Sequence, residues 1–207
     1  MTNFRRFNKA EMLEDGRIRT PWFRCDHPQI FEPRSFKGQP EKYSVIMLFD
    51  EEQVDLSVMR EAAKKALTEK FGSKIPKQIK ATLKSPFRHG SEERDSEDYE
   101  GKIFMRCSSD FQPGIVGPKG KTLTDETAVY RGCYMRATLE CYAYSYENVS
   151  NGVGFGLRTL QLLADGPPIL STKSTAEDDF EDVTGSEDEP ANNETEVEDN
   201  DDLDDLF

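Results

Sequence analysis

Between Pro40 and Asp50 the chain runs through YSVIMLF, a stretch of β-formers broken only by Ser44. An apolar run of that length, bounded by proline and aspartate, predicts a central strand covered on both faces. Period-two alternation predicts two more strands. In KIFMRCSS, Ile103, Met105 and Cys107 share one face, and Lys102, Phe104, Arg106 and Ser108 share the other. In CYMRATLECYAYSY, an apolar face (Cys133, Met135, Ala137, Leu139, Cys141, Ala143) opposes Tyr134, Arg136, Thr138, Glu140, Tyr142, Tyr144 and Tyr146. After the turn ENVSNG, GFGLRTLQLL predicts a closing strand whose core face near its end is the even one, Leu160 and Leu162.

The remaining elements are weaker. A strand from about Arg17 to Cys25 is confined to an edge or bulge by Pro21, and Pro28, Pro33, Gly38 and Pro40 predict a loop after it. One clear helix is expected from about Glu51 to Phe71, with Val54, Val58, Ala62, Leu67 and Phe71 as its apolar stripe and Gly72 as its stop. A short second helix is expected after Pro76, and residues 85–101 read as a long polar loop. Residues 1–16 read as a mobile arm, 17–170 as one domain with its own core, and 171–207 as a separate tail.

The polar faces of the two alternating strands carry rings and cations together, which an ordinary solvated face does not need. Unpaired bases stack on aromatic rings whatever their identity, worth roughly 1–3 kcal/mol each, while Arg and Lys between the rings take the phosphates. The alternative is that these rings pack against a helix, a loop or a second subunit. On strand parity, the candidate single-strand contacts are Lys102, Phe104, Arg106, Tyr134, Arg136, Tyr142 and Tyr144. Arg17, Arg19, Trp22 and Arg24 join them from the first strand, whose register is open, and Lys119 and Lys121 from the turn PGIVGPKGK. No GxxxxGK[ST] loop, catalytic triad or helix-turn-helix pattern occurs, so neither an enzyme nor a major-groove reader is expected.

Charge divides the chain. The net −13 comes from 27 basic and 40 acidic residues, and sixteen of the acids but only one base, Lys173, lie after Leu170. The tail therefore carries −15 and the body +2. Such asymmetry points to nucleic acid or a basic partner. Few apolar residues interrupt the tail, too few to offset an ordering cost of roughly 1–2 kcal/mol per residue, so a disordered acidic tail is expected. Its tip, Leu203, Asp204, Asp205, Leu206 and Phe207, adds apolar groups and a carboxylate suited to a basic-rimmed hydrophobic pocket on a partner. The four cysteines lack CxxC spacing and read as reduced, mostly buried thiols, so no metal or other cofactor is expected. No signal peptide or membrane-length apolar run is visible, and a cytoplasmic location is expected.

The series of features resembles the single-stranded DNA-binding proteins of tailed bacteriophages. The matching pieces are GRIRTPWF, YSVIMLF before a Lys-rich helix, KIFMRC, PGIVGPKGK, YRGCYMRATLECYAY, GFGLRTLQLL and the acidic tail ending in Phe. The resemblance implies a mainly β fold, a five-stranded OB-fold Greek-key barrel with one main helix between strands. It also implies sequence-independent coating of single-stranded DNA in replication, recombination and repair, in the host cytoplasm. An acidic tail of this kind would compete with DNA and recruit polymerase or helicase-primase. Self-association into a homo-oligomer is compatible with it. The competing reading is a DNA mimic or chaperone whose tail caps a basic protein.

Overall fold

The structure, a computed structural model, describes residues 4–35, 38–146 and 150–170. The tail therefore lies outside the described residues. Short strands β1 (Glu11–Met12) and β2 (Ile18–Arg19) precede β3 (Phe23–Arg34) and β4 (Lys42–Asp50). Helices α1 (Ser57–Phe71) and α2 (Lys77–Ala81) follow, then β5 (Leu83–Lys84), β6 (Arg88–His89) and α3 (Gly90–Glu93). The chain continues through β7 (Lys102–Ser109), β8 (Gly114–Val116), a 3-10 turn (Glu126–Ala128), β9 (Tyr134–Tyr146) and β10 (Ser150–Ala164).

Five of these strands close a ring, β3–β4–β7–β10–β9 and back to β3. All neighbours in it are antiparallel except β7 and β10, which are parallel. This is the OB barrel, with α1 inserted between its second and third strands. The predicted central strand is central: β4 pairs on both edges, and Val45, Met47, Leu48 and Phe49 are buried. The apolar parities of β7 and β9 point inward as read, with Met105, Cys107, Met135, Ala137 and Leu139 in the core. Cys25, Cys107 and Cys133 are buried free thiols and Cys141 is half-buried. On β10 the inward set is Val153, Phe155 and Leu157, then Leu160 and Leu162, because a bulge between Leu157 and Thr159 flips the parity.

Four expectations change. The proline-rich stretch is strand, since β3 runs to Arg34 through Pro28 and Pro33. Its register slips against β4 between Asp26 and Gln29 and again before Arg34, and these irregularities accommodate residues without an N–H. His27 takes a left-handed φ of 43° at the first slip. Helix α1 starts at Ser57 rather than Glu51: Asp50 and Asp55 side chains accept from the backbone N–H of Glu52 and Ser57, residues 51–53 form a turn and Asp55 bridges to Lys9 before the helix begins. The segment expected to be a mobile arm is tied to the barrel: Trp22 N–H donates to Phe7 O and Asp55 N–H to Asn8 O. The expected polar loop 85–101 holds β6 and α3 and folds Tyr99 into the protein at 1% exposure.

That segment is anchored by one buried carboxylate. Asp26 is fully buried, accepting from Tyr99 Oη, from Arg131 Nε at 2.5 Å and from its neighbour His27 N–H at 2.8 Å. Burial alone would raise its pKa; the bonds from Arg131 and Tyr99, with the charge of His27, outweigh that and leave it below the ordinary 3.8. A carboxyl with a lowered folded pKa stabilises the fold fully above its unfolded value, and this contribution is lost as pH falls through the folded one. Asp26→Asn is therefore expected to cost about 3 kcal/mol or more at neutral pH. Its stability should then decline less steeply than the parent's below about pH 4. Urea denaturation of both proteins across that range checks this, and parallel declines would assign the acid sensitivity elsewhere.

Candidate nucleic-acid interface

Register sets side chains in rows across the outer face of β3, β4 and β7. Arg106 stands beside Ile46, and Ile46 beside Asp26; in the next row Ser108, Ser44 and Gln29 align. Arg34 and Lys42 pair across the end of β3 and β4, so both cations flank the loop between them. Arg94, after α3, reaches the same hollow, of about 400 Å³, with its guanidinium 5.2 Å from the centre of the Tyr99 ring. A second hollow of about 550 Å³ meets the first at Arg106 and continues to Lys84, Arg88, Tyr144 and Gly154. Arg106 Nη2 donates to Ser44 Oγ at 3.3 Å, which directs the guanidinium along the floor. The result is a groove with cations on both sides; carboxylates beside it include Glu92 on one wall, Glu93, which pairs with Arg88 at 2.5 Å, and Asp110, which pairs with Lys42 at 3.1 Å.

The β9–β10 hairpin forms the end of this groove. Tyr144 faces Gly152 across the pairing and Tyr142 faces Gly154. A Cβ on Gly154 would come within 2.7 Å of the Tyr142 ring, and one on Gly152 within 2.7 Å of the Tyr144 hydroxyl. Each ring thus lies against bare backbone, which only glycine provides. Tyr142 is 49% exposed. Partial burial raises its phenol pKa, against a smaller lowering by the nearby Lys42 ammonium. Tyr144 shares its hollow with the Arg106 guanidinium, and a ring so placed can stack on a planar group while the cation holds an anion attached to it.

Of the predicted residues, Arg106, Tyr142 and Tyr144 come together here. Others are placed elsewhere. Phe104 is 7% exposed, packed with Leu48, Tyr99 and Ile169 beneath the Arg88 guanidinium, so it is a core side chain and no stacking platform. Trp22, 5% exposed, sits edge-on to Phe4 and Tyr134 and likewise offers no open face. Arg24 is spent on Asp98 at 2.7 Å and on Pro167 O, and Lys102 on Asp50 at 2.8 Å. Arg17 pairs with Asp15 and Arg19 with Glu11 near β2, outside the groove. Arg136 lies on the far half of β9, and Lys119 and Lys121 are exposed on the loop after β8. The tip residues Leu203 to Phe207 lie outside the described residues. Among the described residues, no group of His, Cys, Asp and Glu is placed to hold a metal, and no helix is long and apolar enough to cross a membrane.

A sequence model of the family described as the ssDNA-binding protein of Enterobacter phage Enc34 matches residues 17–191. The chain belongs to this family. A protein designated p50 from Acyrthosiphon pisum secondary endosymbiont phage 1 is 29% identical over 173 residues, 80% of this chain and 93% of p50. The Enc34 protein solved in complex with ssDNA superposes at a TM-score of 0.63, with 16% identity over 81% of this chain and 97% of that one. Bacteriophage T7 gp2.5, a single-stranded DNA-binding protein, gives 0.55, with 16% identity over 82% and 97%. These likenesses establish the OB-type barrel, and the Enc34 family is one of binding proteins rather than enzymes.

Within this family member, strand parity alone did not find Arg34, Lys42 and Arg94. Arg34 and Lys42 become neighbours only through a pairing that the prolines disguise, and Arg94 sits in a segment that reads as loop. The alternate glycines of GVGFG opposite YAY were a legible signal for rings lying on backbone. Gly154→Ala tests that geometry. The obstacle is the tip of a side chain, so Tyr142 is expected to swing off the strand with a stability cost within about 1 kcal/mol. Freed from burial, its phenol pKa should fall towards the ordinary value, followed by NMR of ring-labelled tyrosine. A Tyr142 titration unchanged by the substitution would show that the ring does not rest on Gly154.

Proposed function

We propose that this protein coats single-stranded DNA without sequence preference, holding it in the groove centred on Arg106. The observation that carries the reading is the pair of tyrosine rings laid across Gly152 and Gly154, with Tyr144 and Gly154 lining the same hollow as that arginine. Bases stack on Tyr142 and Tyr144, and phosphates are held by Arg106, Arg34, Lys42 and Arg94. Stacking accepts every base, and the groove presents cations where a sequence reader would present a helix. The Enc34 relative solved with ssDNA and the family match support the same ligand. Coating of this kind serves replication, recombination and repair.

Residues 171–207, with their charge of −15, act as a polyanion that competes with DNA for the groove. Displaced by DNA, they present Leu203, Asp204, Asp205, Leu206 and Phe207 to replication proteins such as polymerase or helicase-primase. The barrel of residues 17–170 binds, and the acidic segment regulates and recruits.

Arg106→Gln is expected to weaken oligo-dT binding roughly tenfold at low salt and to reduce the slope of log K against log salt by about 0.7, the value of one phosphate contact on a single strand. Its thermal midpoint should stay close to the parent's. Anisotropy of labelled oligo-dT measures this, and undiminished binding would remove Arg106 from the interface. Deleting residues 171–207 should tighten binding at low salt, with the advantage shrinking as salt screens the tail. Equal affinities for the two chains throughout a salt titration would exclude competition by the tail.

A further inference from the structure

The outer face of the β9–β10 hairpin continues well beyond the two tyrosines. Tyr144, Tyr142, Glu140, Thr138 and Arg136 alternate onto it, with Gly152, Gly154 and Gly156 facing the first three. Glu140 is neutralised by an ion pair with Arg158 from β10. From Tyr144 to Thr138 is six residue steps, about 20 Å along a strand. There the track opens into a hollow of about 430 Å³ lined by Arg19, Arg136, Thr122, Thr138, Thr159 and Gln161 among others.

The arginine in that hollow is positioned as if for an anion. Arg136 Nε donates to Gln161 Oε1 at 2.8 Å, and the Gln161 amide donates to Gly117 O at 3.3 Å. The guanidinium lies 3.6 Å from the centre of the Phe7 ring, which Arg5 also approaches, at 4.9 Å. Stacked and bonded through Nε, the fork has its orientation fixed while its terminal nitrogens make no ion pair among the described residues. Partial burial lowers the Arg136 pKa, and the neighbouring Arg19 and Arg5 lower it further, with Glu11 opposing. Cations crowded in this way gain from an added anion. The Thr138 and Thr159 hydroxyls share one hydrogen bond of 2.6 Å, which leaves one hydroxyl proton to donate outward.

We propose that a single strand leaving the groove over Tyr142 and Tyr144 follows this hairpin face and seats a phosphate in the hollow at Arg136 and Arg19. The inference rests on the groove reading above. A phosphate fits better than a carboxylate of an acidic peptide, because the ring-bearing track that leads to the hollow suits bases, and a fork with hydroxyl donors suits a phosphate's several oxygens. At ~3.4 Å per stacked nucleotide the 20 Å track adds about six nucleotides to what the groove itself covers.

The test compares the full chain with Arg136→Gln and Arg19→Gln on labelled oligo-dT of two lengths, about 8 and about 20 nucleotides, within and beyond the range of one OB fold. Both substitutions are expected to weaken the longer oligomer roughly tenfold, flatten its salt slope by about 0.7 and leave the shorter unchanged. Arg136→Lys, which keeps the charge without the fork, should recover part of the loss. Arg19→Gln lies outside the Phe7 stack and keeps the test valid if Arg136→Gln loosens the fold. The proposal is overturned if the longer oligomer binds Arg19→Gln as it binds the parent, or if both lengths weaken equally. Failure of the groove reading is separate, since Arg106→Gln would then leave the shorter oligomer unweakened.

Discussion

The barrel closes only because one strand pairs along both edges while turning a corner. β10 lies antiparallel to β9 on one side and parallel to β7, β8 and β5 on the other. A regular strand cannot coil that far. Glycine at 152, 154 and 156 removes side chains from the outer surface of the curve, and the bulge between Leu157 and Thr159 adds twist and switches which parity faces the core. The positions that let the strand bend are the positions on which Tyr142 and Tyr144 lie. Curvature and the seating of the two rings therefore draw on the same glycines.

The modest charge of the body conceals a division of labour among its cations. Arg24 and Arg131 hold neighbouring segments in place, one through Asp98 and Pro167 and the other through Asp26. Lys102 joins β7 to the turn after β4 through Asp50. These partners are buried or half-buried, where an ion pair with good geometry is costly to break. Arg34 and Arg94 instead line an open hollow, where screening is strong and attraction to a polyanion depends on salt. Net charge counts the two groups alike; only their burial separates them.

Much of the fold was legible because burial imposes a period. The central strand, the inward parity of β7 and β9 and the even face at the end of β10 follow from hydrophobic alternation alone. Alternation says which residues share a face, though, and not whether that face is covered. Phe104 shows the limit: it shares a parity with Arg106, yet Tyr99 closes over it from a stretch whose composition reads as solvent-exposed loop. The prolines of β3 misled for a related reason, because they mark where pairing slips and the strand nonetheless continues. Parity puts Arg106 on the outer face of β7 and Tyr142 and Tyr144 on that of β9, whereas Arg34, Lys42 and Arg94 come near Arg106 only through tertiary approach.

The chain has a single tryptophan, Trp22, and its ring sits 6.2 Å from Phe4 and 5.6 Å from Tyr134, with the Arg6 guanidinium 5.9 Å away. Both Phe4 and Arg6 belong to the amino-terminal segment. Intrinsic indole emission is thus a built-in gauge of whether that segment is seated on the barrel, and a spectral shift on adding a ligand would signal its detachment rather than contact with the indole itself.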